Sequence, residues 1–191
     1  DQQLEEMPYT IEPCDVLFRF LAKNSDRLMS ESSNINKHGD RLLVYDRIFP
    51  SLKCSFTTVE FNAYLQHFPQ TCVYTAATDM MGLEGRPFPD VKATYVKQHP
   101  QFADQIPKLS TKADFHGKLL YTLFIRNIFP IIELLEKCKT PFVFTLYASG
   151  DYGMDHEKSD SMLRRVTQSP CFRKVIVVEC VTRDYLLSKG F

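Results

Sequence analysis

Pro141-Phe-Val-Phe-Thr-Leu-Tyr147 is a proline followed by six residues of high strand propensity, and the polar loop behind it reads Ala148-Ser-Gly-Asp-Tyr-Gly153. A short, continuous apolar run bounded by turn residues suits a strand buried on both faces of a sheet. Three other runs have the same character: Arg41-Leu-Leu-Val-Tyr45, Thr71-Cys-Val-Tyr-Thr75 and Lys174-Val-Ile-Val-Val178. A weaker strand signal lies over 105–109. Helical signals follow the strands. Thr57-Thr-Val-Glu60 has the spacing of a capping box and opens a helix to about Phe68. Asp90 is placed to cap a short helix that ends near His99-Pro100, and Asp155 to cap one around Ser159 to Gln168. Thr182 to Ser188 forms the last helix, with Gly190 as its stop. The longest helical pattern runs from Asp114 to Lys137, with a kink expected at Pro130.

Short apolar strands that alternate with helices predict an α/β fold, a Rossmann-like doubly wound and mainly parallel sheet. Ahead of it, Glu12 to Lys23 carries Val16, Leu17, Phe20 and Leu21 at helical spacing, and Asn24 to Asp40 is polar. Residues 1–40 therefore read as an N-terminal helical appendage and residues 41–191 as the Rossmann-like domain. The chain starts at Asp1 and stops directly after a helical pattern, so it reads as part of a longer polypeptide.

Composition narrows the function classes. Lys and Arg number 23 against 23 Asp and Glu, which leaves no electrostatic footprint for nucleic acid. Six cysteines are never closer than nine positions, so no C-x-x-C exists, and Cys72 and Cys180 sit in strand-like runs as small hydrophobes. Reduced, mostly buried thiols are expected. The five histidines lie at least 17 positions apart, which disfavours zinc. Leu119 to Leu135 is apolar almost all round, but Arg126, Asn127 and Glu133 interrupt it, so a central helix fits better than a membrane span. Membrane association is not indicated.

Motifs prune the field further. The turn after the first strand reads Asp46-Arg-Ile-Phe-Pro50, not G-x-G-x-x-G, and only seven glycines are present. No phosphate loop and no G-x-S-x-G elbow occurs. Hydride transfer, P-loop hydrolysis and esterase chemistry are thereby disfavoured, and no cofactor is implied.

Ligands of doubly wound folds bind outside the carboxyl ends of the strands. Those ends carry Asp46 and Arg47 with Ser51 closing the turn, then Thr75, Thr78 and Asp79. Tyr147, Gly150, Asp151 and Tyr152 follow the third run, and Glu179 and Arg183 the last. Carboxylates, arginines and hydroxyls gathered in one crevice equip it to bind a polyol or move a proton. Each residue alone has a plainer reading: Asp46 can brace a turn, and Arg183 can be a solvated helix residue. The grouping carries the argument. The strands ending at Tyr45 and Tyr147 are expected to be neighbours, so that Asp46 and Asp151 share an opening.

A resemblance adds to this reading. Pro141 to Tyr147, the glycine-bearing loop, Ser159-Asp-Ser-Met-Leu-Arg-Arg165, Ser169-Pro-Cys-Phe-Arg-Lys-Val-Ile-Val177 and Thr182-Arg-Asp-Tyr-Leu-Leu187 resemble bacterial GT-B glycosyltransferases. Tyr45-Asp-Arg-Ile-Phe-Pro50 and Glu60-Phe-Asn-Ala-Tyr-Leu65 continue the likeness, which covers roughly residues 41–191 of this chain and the amino-terminal half of those enzymes. The resemblance implies a cytoplasmic enzyme of two facing domains. The first receives the sugar acceptor and the second, absent here, binds the nucleotide-sugar donor. Asp46 or Asp151 would then contact acceptor hydroxyls or act as base, and Arg47 and Arg183 would face donor phosphate. The chain departs from the pattern at Ala148 to Gly153, where a proline and more glycines are expected. Its rivals are a non-catalytic carbohydrate-binding or scaffolding module and a membrane-surface protein built on Leu119 to Leu135.

Overall fold

The computed structural model describes residues 41–50, 55–76, 87–109, 115–148 and 151–191. All of them belong to one compact unit, Ile35–Phe191. The appendage expected over 1–40 lies outside the described residues, as do Ser51, Thr78 and Gly150.

In chain order the elements are β1 (Leu42–Asp46), α1 (Ser55–His67), β2 (Cys72–Thr75), α2 (Phe88–Gln98) and a 3-10 turn (Pro100–Gln105). Then come β3 (Leu119–Leu123), α3 (Ile125–Ile128), a 3-10 turn (Phe129–Ile131) and α4 (Ile132–Cys138). The chain closes with β4 (Phe142–Leu146), α5 (Glu157–Thr167), β5 (Phe172–Val177) and α6 (Cys180–Lys189). The five strands form one sheet in the order β2-β1-β3-β4-β5, and every pairing is parallel. The fold is a Rossmann-like α/β domain.

Successive side chains of a strand point to opposite faces. Leu43, Tyr45, Leu120, Phe142, Phe144 and Leu146 enter the large core formed with Ile125, Ile128, Ile132, Leu135, Leu163, Val166 and Leu186 of α3 to α6. Tyr121 faces the other way, where it meets Tyr64 and Glu60 of α1. Helices thus cover both faces. All fifteen residues of β1, β3 and β4 are buried, as central parallel strands require. Each fully buried Leu or Phe contributes about 1.5–3 kcal/mol relative to exposure. At the edge, β5 exposes Arg173 and Lys174, charges that discourage pairing with another chain.

The region expected as one helix from Asp114 to Lys137 is instead a strand followed by broken helix. Leu119-Leu-Tyr-Thr-Leu123 is the middle strand of the sheet, paired with β1 and β4. Four apolar residues and one threonine have no periodicity that separates strand from buried helix. Gly117 marks the true boundary: a Cβ there would lie 2.7 Å from Leu43 Cγ and 3.0 Å from the Arg41 carbonyl oxygen. Only glycine lets the chain enter the sheet so close to β1. Pro130 sits in the 3-10 turn that divides α3 from α4.

Because β3 is inserted, β1 and β4 are not neighbours as expected; their ends stand about 10 Å apart, two strand spacings. The weak strand over 105–109 reduces to one parallel bridge, Lys108 to Thr75, on the outer edge of β2. Counting that remnant, the six positions run 3-2-1-4-5-6, the usual order of dinucleotide folds.

Three capping assignments also change. The first helix starts at Ser55, two residues before Thr57, and Glu60 turns inward instead of capping. Asp90 lies in the first turn of α2, whose N-cap is Pro87. His156 precedes α5, and Asp155 pairs with Lys189. Gly190 does stop α6, in the left-handed conformation at φ 73°. Cys180 opens α6 and is exposed, not inside a strand, whereas Cys171 is buried.

Candidate functional site at the strand carboxyl ends

The sheet order reverses between β1 and β3, and the crevice outside such a switch point is where open α/β sheets bind ligands. Asp46 is the last residue of β1 and is 2% exposed. Its Oδ1 accepts the Ile48 N–H at 2.7 Å, and the Phe49 N–H also points to the carboxylate. Burial raises its pKa to about 6 against the pull of these amides and of Arg126, with Glu60 pushing further up. An acid tuned toward neutrality can exchange a proton near physiological pH.

Beneath it lies a buried polar network that sequence reasoning missed. Glu60 of α1 accepts hydrogen bonds from Tyr64 Oη at 2.6 Å and Tyr121 Oη at 2.9 Å. Tyr121 and Thr145 share a further hydrogen bond of 2.8 Å, which links β3 to β4. Burial raises the Glu60 pKa although both tyrosines favour its charged form. Tyr121 is held well above the ordinary phenol range by burial and by the Glu60 charge.

Phe124 follows β3 with φ 63° and ψ 143°, a conformation that favours glycine. Holding a bulky residue there costs about 1–3 kcal/mol. Its N–H donates to the Thr145 carbonyl at 2.8 Å, and its own carbonyl accepts the Asn127 N–H at 3.1 Å, so both sides of the bend are anchored. The Phe124 ring lies 5.2 Å from Tyr147 and carries the Arg126 guanidinium 5.3 Å above it. Tyr147 also meets Phe56, in the first turn of α1, at 6.1 Å. Asp46, Arg47, Arg126, Phe56, Phe124 and Tyr147 thus gather around the ends of β1, β3 and β4.

The other expected residues sit on the same edge of the sheet, farther out. Asp151 is exposed at φ 71°, and its carbonyl accepts a hydrogen bond from Ser159 Oγ at 3.0 Å. Tyr152 is 8% exposed, and its hydroxyl has no hydrogen bond of normal geometry. Burial, then Tyr185, Asp160 and Glu179, raise its pKa to about 12, with Thr182 pulling back. Glu179 is the N-cap of α6 and is 3.4 Å from Thr182 Oγ1. Arg183 is exposed and turned onto its neighbour Asp184 at 2.8 Å. Among the described residues no cluster of three His, Cys, Asp or Glu could hold a metal, and no helix is long and apolar enough to cross a membrane.

Fold and site together define a Rossmann-like domain with a buried acid at its switch point. The chain matches no protein family, no curated protein and no solved structure.

Proposed function

We propose that this is the acceptor-binding domain of a GT-B-type glycosyltransferase, a cytoplasmic enzyme that moves a sugar from a nucleotide-sugar donor to a glycan, protein or lipid-linked acceptor. The observation that carries the reading is Asp46, a buried carboxyl at the switch point with its pKa raised to about 6. In this role Asp46 accepts the proton of the acceptor hydroxyl as that oxygen bonds to the donor's anomeric carbon and the nucleoside diphosphate leaves. Asp151, exposed and two strands away, is the weaker candidate for base. Arg47 and Arg126 supply positive charge beside the acid, and donor phosphate is met there across the cleft. Arg183 is already engaged by Asp184, which lessens its claim on phosphate. The sequence resemblance over residues 41–191 supports the sugar-transfer chemistry.

A second reading, a non-catalytic carbohydrate-binding or scaffolding module, is favoured by the amides of Ile48 and Phe49, which give Asp46 a turn-building role. Glycan-array binding and transfer assays separate the two. The isolated chain should bind glycan acceptors, lose at least tenfold in affinity on Asp46→Asn without loss of thermal midpoint, and transfer no sugar. Efficient nucleotide-sugar turnover by the monomeric chain, or no glycan binding at all, would overturn the acceptor-domain reading. Glycan binding unchanged in Asp46→Asn would favour the non-catalytic module.

A further inference from the structure

Two cysteines that stand 33 positions apart in sequence meet at the amino edge of the sheet, opposite the candidate site. Cys138 is the last residue of α4, which leads into β4, and Cys171 directly precedes β5. The Cys171 Sγ lies 3.5 Å from the Leu135 carbonyl oxygen. Leu135 belongs to α4, three residues before Cys138. A helical Cα–Cβ bond tilts toward the helix N-terminus, so a side chain covers the turn three to four residues behind it. The Cys138 side chain is thus directed to the turn whose carbonyl the Cys171 sulfur meets. Both cysteines pack in the same core, Cys171 at 6% exposure and Cys138 half-buried.

Backbone hydrogen bonds hold the two positions. Lys139 ends α4 in the left-handed conformation at φ 54°, and the Thr140 N–H donates to the Leu135 carbonyl at 2.9 Å. The Cys171 N–H donates to Ser169 Oγ at 3.3 Å, and its carbonyl accepts the Phe142 N–H at 2.9 Å. That second bond joins the segment after Cys138 to Cys171 itself. Phe142 and Phe172 pair across adjacent strands, a spacing of about 4.8 Å. A disulfide asks for Cα atoms about 4.4–6.8 Å apart. From α5, Arg165 closes the same corner on Glu136 at 2.8 Å. Among the described residues the other cysteines stand elsewhere: Cys72 on β2, and Cys180 exposed at the start of α6.

We propose that Cys138 and Cys171 are a redox-active dithiol that closes to a disulfide when a low-molecular-weight disulfide, such as glutathione disulfide, is supplied. The Cys138 thiolate, the more accessible, attacks one sulfur of the small disulfide and releases its other half as a thiolate. That thiolate takes the Cys171 proton. The Cys171 sulfur then attacks the Cys138 sulfur and expels the second half, which takes up the proton that Cys138 first lost. Two cysteine thiols are oxidised, and one small disulfide is reduced to two thiols. Burial pushes the Cys171 thiol up, which suits it to the second attack. The new bond restrains the unfolded chain over a long loop, so oxidation stabilises the domain at the edge away from the candidate site. None of this depends on the acceptor-domain reading.

The test treats the folded 191-residue chain with glutathione disulfide, alkylates the remaining thiols and maps a non-reduced digest by mass spectrometry. A linked Cys138–Cys171 peptide pair is expected, reversed by dithiothreitol, with the thermal midpoint of the linked protein raised by about 5–10 °C. Cys171→Ala should leave Cys138 as a stable mixed disulfide with glutathione. Cys180→Ser should leave the linkage intact. Cys138 recovered from the wild type only alkylated or only as the mixed disulfide would overturn the dithiol. A pair that links only in urea would overturn it as well. So would a linked protein with a lowered midpoint, because a bond made against the folded geometry stores strain.

Discussion

The two ends of the sheet's carboxyl edge hold similar residue types in opposite physical states. Around β1, β3 and β4 the acids Asp46 and Glu60 are 2% and 4% exposed, and burial raises both pKa values. Around β5 and α6 the acids stand in solvent beside cations. Lys189 meets Asp155 at 2.8 Å with the aspartate side chain 75% exposed, and Arg183 meets Asp184 at 2.8 Å with both side chains more than half exposed. Exposed pairs of this kind are worth about 0–1 kcal/mol and weaken with salt. Buried acids carry a desolvation cost that only their hydrogen bonds offset. Residue type alone therefore says little about which end does chemistry. Burial against a specific set of donors separates them.

Breaking the buried end should have the largest effect. Glu60→Ala removes the carboxylate that accepts from the Tyr64 and Tyr121 hydroxyls, two hydrogen bonds to a charged group at about 1.5–3 kcal/mol each, although Tyr121 keeps Thr145. A total loss of about 4 kcal/mol is expected, a fall of roughly 10 °C in thermal midpoint for a domain of this size. A loss under about 1 kcal/mol would mean that the network contributes no more than the exposed pairs.

Titration should sharpen the contrast next. Asp46 has its folded pKa raised from 3.8 to about 6, so the stabilising preference for the protonated form is complete at low pH and is lost as pH rises through about 6. The shift corresponds to about 3 kcal/mol across that window. Glu60 acts in the same direction. Glu136 acts oppositely at lower pH: its bidentate pair with Arg165, at 2.8 Å for both bonds, lowers its pKa to about 2, and that contribution disappears as pH falls from the ordinary glutamate range toward 2. Urea denaturation between pH 4 and 7 should therefore show falling stability in the wild type and a flatter curve in Asp46→Asn. A wild-type curve that rises over this interval would contradict the assignment.

The far end should respond weakly. Tyr185 donates to Asp160 at 2.6 Å and accepts the Asp155 N–H at 2.8 Å, so Tyr185→Phe should cost about 1 kcal/mol by chemical denaturation. Arg183→Ala should stay within about 0.5 kcal/mol. A larger effect at Arg183 than at Tyr185 would show that the α6 entrance is more than solvated surface.

Much of the architecture was legible because four strands carry β-branched and aromatic runs closed by turn residues. The sheet's middle strand was not, because Leu119 to Ile125 holds no charged residue, glycine or proline that would mark the strand's end before the helical pattern begins. His116-Gly117 ahead of it and Tyr121-Thr122 within it were the available signals. Missing β3 also hid the site's centre. Arg126 and Phe124 read as helix residues, and Glu60 as half of a capping box, although each acts through partners distant in sequence. Asp46 was readable from its place at a strand end. That Arg183 turns onto Asp184 follows from a side-chain rotamer that no spacing encodes.

Carbon-13 detection of the aspartate side-chain carboxyls through a pH series would test the central claim most directly. The buried-acid account predicts an Asp46 midpoint near 6. A midpoint near the ordinary aspartate value of about 3.9 would make Asp46 a turn-bracing carboxylate and remove the switch-point acid.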